Sequence, residues 1–124
     1  MIEVQNLTKK FDQKIILNDM SFKVEENQVL VVLGESGAGK SILLKSIIGL
    51  ISPTAGSVLI EGNVVSEVKF KELQNIRSKI GMVFQFGALF DSLTVGENIS
   101  LALKKLTKLN EEEINRRVIN SLKS

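Results

Sequence analysis

The chain has 124 residues, the size of one small domain. Hydrophobic residues at 44% and charged residues at 24% match folded globular proteins and exclude disorder, a collagen-like repeat or a coiled coil for the whole chain. Sixteen basic residues against fourteen acidic ones leave a net charge of +2, too little to point to nucleic acid. Cys and His are both absent, which excludes a disulfide framework, a thiolate nucleophile, a His-based triad and a Cys/His zinc site. Chemistry is left to carboxylates, Lys, hydroxyls, amides and backbone N–H groups, with Phe as the only aromatic for stacking. The N-terminus has no basic region followed by an apolar stretch, so no signal peptide is expected. The longest apolar stretches, Val29–Leu33 and Ile42–Ile51, fall well short of the roughly 20 residues that span a bilayer. The expectation is a soluble, cytoplasmic chain.

Ile2, Val4 and Leu7 predict an opening strand, and Ile15–Leu17 through Phe22 and Val24 a second. Glu25-Glu26-Asn27 reads as a turn, because Asn tolerates left-handed backbone angles. Val29–Leu33 is apolar at every position, the pattern of a strand covered on both faces as in a parallel sheet. A Gly-rich loop, Gly34–Gly39, follows. Leu43, Leu44, Ile47, Ile48 and Ile51 then recur at helical spacing, with Pro53 as the stop. Strand, Gly-rich loop and helix open an α/β unit. Val58–Ile60 predicts a strand with a turn at Glu61-Gly62-Asn63; Phe70, Leu73 and Ile76 predict a brief helix, and Ile80–Phe84 another strand. Thr94 and Glu97 form a capping box for a helix with Val95, Ile99, Ala102, Leu103 and Leu106 on one face. Asn110 caps a last helix with Glu111–Glu113 in its first turn, ion pairs expected at Glu112–Arg116 and Glu113–Arg117, and an apolar stripe of Ile114, Val118 and Leu122.

Gly34-Glu35-Ser36-Gly37-Ala38-Gly39-Lys40-Ser41 matches G-x-x-x-x-G-K-[ST] in full. Glycines in such a loop let the backbone take angles closed to other residues, so that successive N–H groups turn toward a phosphate. The helix starting near Ser41 adds its positive end. Lys40 can reach the β- and γ-phosphates, and the Ser41 hydroxyl can ligate Mg²⁺. Nucleotide phosphate binding is the strongest expectation the sequence supports.

Beyond this motif the chain resembles the nucleotide-binding subunit of ATP-binding cassette (ABC) transporters. The resemblance is carried by Glu3-Val4-Gln5-Asn6-Leu7-Thr8-Lys9-Lys10-Phe11, by Gly34–Ser41 with Leu43-Leu44-Lys45, by Pro53-Thr54-Ala55-Gly56-Ser57-Val58-Leu59-Ile60-Glu61-Gly62, and by Ile80-Gly81-Met82-Val83-Phe84-Gln85. These segments stand in the family's order and cover Ile2 to about Leu103. Within the family, Gly87-Ala88-Leu89-Phe90-Asp91-Ser92-Leu93-Thr94-Val95 with Glu97-Asn98 is similar to the Mla-type subunits, which pair with MCE lipid-shuttling proteins and move phospholipids across the bacterial envelope. The apolar Ile42 agrees with that branch.

The resemblance implies an α/β P-loop NTPase fold, specifically the N-terminal part of an ABC nucleotide-binding domain, with an antiparallel β subdomain and a partial parallel core sheet. It makes Phe11 the aromatic that stacks on adenine, a contact of about 1–3 kcal/mol. Gln85 becomes the Q-loop glutamine, which ligates Mg²⁺, approaches the attacking water and faces the permease. The implied nucleotide contacts are Phe11, Gly34, Glu35, Ser36, Gly37, Ala38, Gly39, Lys40, Ser41 and Ile42, with Glu35 and Ser36 offering backbone N–H groups only. Lys40 and Gln85 are the implied catalytic positions, and Ser41 and Gln85 the Mg²⁺ ligands. ATP and Mg²⁺ are the implied cofactors. The implied partners are a membrane permease, a second nucleotide-binding subunit and an MCE-type protein, with the subunit peripheral on the inner face of the cytoplasmic membrane.

Asn27 stands where the family usually has Gly. Nothing resembles the signature motif (L-S-G-G-Q or similar), the Walker B aspartate with its catalytic glutamate, or the switch histidine. Asp91 is followed by Ser92 and preceded by no buried strand, so it is not read as Walker B. The chain thus resembles the N-terminal half of a cassette, either part of a transporter ATPase or a truncated or split module that holds nucleotide without turnover. A degraded gene product is a further alternative; a small kinase or GTPase lacks support, with no N-K-x-D element present. A chain cut through its sheet is expected to be poorly soluble or molten alone.

Overall fold

The first two strands, β1 (Ile2–Phe11) and β2 (Lys14–Val24), form an antiparallel hairpin running in register from Ile2 opposite Val24 to Phe11 opposite Lys14. The computed structural model describes residues 1–35 and 37–124. β3 (Ala55–Ile60) pairs antiparallel with the other edge of β1, and the short β4 (Asn63–Val64) returns on β3, giving the order β2-β1-β3-β4. The β3–β4 turn falls at Glu61 and Gly62, both left-handed (φ 50° and 82°), the pair of angles that suits the twist of a two-residue hairpin.

Val4 and Leu7 are both buried although they lie three residues apart, which a regular strand would place on opposite faces. Asn6 resolves this. It is an extra residue on β1 with φ 48°, and the pairing steps from Val4 opposite Phe22 to Leu7 opposite Met20. The bulge is held by Asn6 Nδ2 donating to Asp19 Oδ1 at 2.9 Å and by the Asn6 N–H donating to Ser21 Oγ at 2.8 Å. Gly56 on β3 closes over it; a Cβ there would sit 2.2 Å from the Asn6 carbonyl oxygen.

The sheet's apolar face is covered by α1 (Ala38–Ile47) and α2 (Phe70–Ser78), with Val4, Leu7, Leu17, Leu43, Val58, Ile60, Val65 and Ile76 as the buried cluster. Ser46 is buried among them, its hydroxyl donating to the Ile42 carbonyl at 2.8 Å. The first helix ends well before Pro53, contrary to expectation. Gly49 takes a left-handed φ of 72°, and a Cβ there would meet Val65 Cγ1 at 2.7 Å, so glycine makes the stop. Arg77 secures that end from α2, donating from Nε to Ile48 O at 2.9 Å and from Nη2 to Gly49 O at 3.0 Å. A cation on the last carbonyls also opposes the helix dipole.

Two predicted strands do not form. Residues 29–33 lie outside any strand and are exposed, Val29 at 91% and Leu33 at 89%. Residues 80–84 are likewise outside any strand, with Val83 93% exposed. A strand exists through its ladder, and no described segment pairs with either run. The partial parallel core sheet is therefore not formed: among the described residues every strand pairing is antiparallel.

The chain divides into two units, Met1–Gly81 and Met82–Ser124. The second holds α3 (Val95–Leu106) and α4 (Glu111–Lys123). The capping box forms as expected, the Glu97 N–H donating to Thr94 Oγ1 at 3.2 Å and the Thr94 N–H to Glu97 Oε2 at 2.7 Å. Asn110 caps α4 by accepting from the Glu113 N–H at 2.9 Å. The expected apolar faces are only partly covered: Ile114 and Val118 are buried, but Val95, Leu106 and Leu122 remain exposed, since two helices cover only the strip between them. Ser100 is buried instead, donating to Glu97 O at 3.0 Å. Of the ion pairs, the expected i,i+4 contacts give way to Arg116 Nη2 against Glu113 Oε1 at 3.9 Å, an i,i+3 pair one residue closer. No described helix is long and apolar enough to cross a membrane.

Candidate phosphate-binding site

The Gly-rich loop leads directly into α1. Gly37 precedes the helix with extended backbone (φ 171°), no side chain caps its first turn, and that turn holds no acidic residue. The first N–H groups of α1, which have no partner inside the helix, are thus left for an external anion. Lys40, in the same turn, folds its ammonium over the loop and donates to Gly34 O and Glu35 O, each at 2.7 Å. An ammonium has three donors, and these bonds use two while holding the charge against the first carbonyls of the loop. Ser41 follows on the exposed side of α1.

The glycines act differently from the expectation of special angles. None of Gly34, Gly37 and Gly39 takes a left-handed φ. Their contribution is a bare surface. A Cβ on Gly34 would lie 3.9 Å from Lys40 Nζ, one on Gly39 would lie 3.7 Å from Ile16 O, and one on Gly37 would face open space. Ala38 and Glu35 are exposed, whereas the Ile42 side chain packs against the core, so its backbone is what it can offer a ligand. Ser36 lies outside the described residues.

Gly39 also ties the loop to the hairpin. Pairing steps from Lys9 opposite Leu17 to Lys10 opposite Ile15, which leaves Ile16 as an extra residue on β2. Its carbonyl faces Gly39, so the loop backs onto the bulge beside Lys9 and Lys10. Phe11 ends β1 one residue further on, half-exposed, with the Lys9 ammonium 5.0 Å from its ring centroid. The start of α1 and the aromatic therefore both adjoin the same end of one hairpin.

Gln85 belongs to the second unit, where it is exposed and outside any helix or strand. Among the described residues no group of three or more acidic side chains could cage a cation. A divalent ion held by one hydroxyl, phosphate oxygens and water is the binding mode of Mg²⁺, which keeps water and dehydrates reluctantly. The donor set fits that ion.

Several structural residues carry no signal a single sequence would reveal. Arg77 is one. Asn98 is another: its side-chain amide donates to Phe90 O, Leu93 O and Thr94 O at 3.2, 3.2 and 2.9 Å, and its oxygen accepts from the Phe90 N–H at 2.8 Å, tying the loop before α3 to the helix.

A family model described as ABC transporter matches residues 17–124. The "Probable ribonucleotide transport ATP-binding protein mkl" of Mycobacterium leprae is 44% identical over 121 residues, 98% of this chain and 35% of that protein. The "Intermembrane phospholipid transport system ATP-binding protein MlaF" of Haemophilus influenzae is 33% identical over 124 residues, the whole of this chain and 47% of that protein. Among solved structures, the ATP-binding cassette MJ0796, a dimer in a post-hydrolysis state bound to ADP and Pi, matches with a TM-score of 0.85 at 34% identity, over 99% of this chain and 56% of that one. The chain thus spans between about a third and a half of the curated relatives' length. With a family model matching residues 17–124 and its fold matched by a solved cassette, the chain belongs to the ABC transporter family.

Proposed function

We propose that residues 1–124 form the N-terminal part of an ABC nucleotide-binding domain and hold ATP with Mg²⁺ in a transporter's ATPase subunit. The observation that carries this is Lys40, fixed over the loop at the uncapped start of α1, with Phe11 on the adjoining hairpin end. The α1 N–H groups and Lys40 bind the phosphates, Phe11 stacks on the base, and Ser41 and Gln85 are the residues that would hold Mg²⁺. When bound, Mg²⁺ would supply positive charge against that developing on the phosphates. Lys40 and the loop amides then stabilise charge developing on the γ-phosphoryl as water attacks in line. The general base and the signature motif that completes a partner's site are not among these residues, so the isolated chain should show no ATPase above background in a phosphate-release assay.

The transported substrate is inferred as phospholipid, energised together with a permease, a second copy of the subunit and an MCE-type protein at the inner face of the cytoplasmic membrane. Support comes from the Mla-like segment 87–98 and from MlaF among the relatives. The name of the mkl relative refers to ribonucleotide transport, which leaves substrate to be decided by the permease. A second reading is a nucleotide-holding piece without turnover, favoured by the exposed apolar runs at 29–33 and 83–86.

The test is Lys40→Ala. ATP affinity should fall below detection by calorimetry, since a charge-assisted contact to the β/γ-phosphates is removed. Equal binding by wild type and variant would rule out the phosphate-loop reading.

A further inference from the structure

We infer that Lys9 is a positioning residue for the base, holding the Phe11 ring in the orientation that receives adenine; this rests on the nucleotide reading above. Lys9 and Phe11 are two apart on β1, so they share one face of the sheet. The Lys9 ammonium lies 5.0 Å from the ring centroid, within the range of a cation–π contact. It is itself anchored, donating to the Ser52 carbonyl at 2.7 Å. The segment around that carbonyl is fastened to β1 in turn: the Thr54 N–H donates to Thr8 O at 2.9 Å and the Lys10 N–H to Thr54 Oγ1 at 3.0 Å.

The consequence concerns which ring face is open. Phe11 ends its strand and is 44% exposed, so packing alone leaves its side-chain torsions loosely held. A cation fixed over one face settles the ring and occupies that face. The opposite face is left for a base. The Lys9 backbone also pairs beside the bulge at Ile16, whose carbonyl meets Gly39, so the residue that holds the ring and the start of α1 are indexed to the same bulge. Lys9 thus acts on the base through Phe11, without touching the phosphates.

The experiment compares ATP with inorganic triphosphate, both with Mg²⁺, by calorimetry on the full-length protein. Lys9→Gln should weaken ATP about 2- to 5-fold, the equivalent of an exposed cation–π contact. It should leave triphosphate unchanged, and Lys9→Arg should restore ATP binding. In a Phe11→Ala background, Lys9→Gln should have no further effect. Equal weakening of ATP and triphosphate would mean that Lys9 serves the phosphates or the fold, and the inference fails. An undiminished effect in the Phe11→Ala background would overturn it as well. Should Phe11→Ala alone leave ATP affinity unchanged while Lys40→Ala abolishes it, stacking on Phe11 falls and the phosphate loop stands.

Discussion

Residues 29–33 and strand β1 draw on the same residue types and end in opposite environments. Val4 and Leu7 are exposed by 1% and 0%, whereas Val29 and Leu33 are exposed by 91% and 89%. Hydrophobicity does not separate them. β1 has β2 on one edge and β3 on the other, so its backbone groups are paired and its apolar face can be laid against α1. Among the described residues the run at 29–33 has no neighbour in a ladder, and Val29 and Leu33 have little surface to pack on. Apolar sequence states what a segment could bury; a partner decides whether it does.

The well-partnered region depends on backbone that fits nowhere else, and its weakest tolerance is at Gly56. With φ 78° and a Cβ only 2.2 Å from Asn6 O, Gly56→Ala meets both a left-handed angle and a clash with backbone that cannot move without opening the bulge. The expected cost is about 3 kcal/mol or more, read as a loss of cooperative unfolding in urea. Gly62→Ala is the control: φ is 82° but the Cβ would face open space, so only the angle is strained. About 1 kcal/mol is expected there. Equal effects at the two positions would show that the Asn6 bulge is not rigid.

An intermediate effect is expected at the start of α3. Thr94→Ala removes the cap acceptor and should cost about 1 kcal/mol of local stability. The backbone hydrogen bond from Thr94, and then the one from its side chain, hold the Glu97 carboxyl below the usual carboxylate range. A carboxyl lowered in the folded state adds stability above its unfolded pKa, and that stability is lost as pH falls through the lowered value. The protection of the amides at residues 95–98, measured against their intrinsic exchange rates at each pH, should therefore fall on acidification below the ordinary carboxylate range. Glu97→Gln should flatten this dependence. An unchanged acid profile in that variant would show that the carboxylate contributes nothing to the cap.

What could be read from the sequence divides along the same line. The capping box, the Asn110 cap, the left-handed Asn27 (φ 59°) and the Glu61-Gly62 turn are local, each fixed by residues within three or four positions. The start of α1 was legible too, because a Gly-rich segment followed by an apolar repeat at helical spacing is a local signal. The reading failed where the outcome depends on distant chain. Residues 29–33 needed flanking strands, Ile51 and Pro53 lost the helix stop to Gly49, and the Arg77 grip on Ile48 and Gly49 spans 29 and 28 residues. Even the loop glycines proved to serve close approach, at Ile16 O and Lys40 Nζ, rather than unusual angles.

The smallest effect is expected from the most drastic-looking change, Val31→Asp. In a buried central strand a carboxylate would lose hydration without a partner and cost several kcal/mol, or raise its pKa until neutral. Val31 is 68% exposed here, so the charge stays in water. The urea midpoint of the 124-residue chain should move by no more than about 0.5 kcal/mol equivalent. Binding of a hydrophobic dye should fall, since the exposed run is the surface such a dye prefers. The proposed remainder of the cassette supplies the contrast. Joined to it, the run should acquire neighbours and the same substitution should become severely destabilising. A large cost already in the 124-residue chain would place residues 29–33 in a core, and the distinction between partnered and unpartnered apolar segments would not hold for this protein.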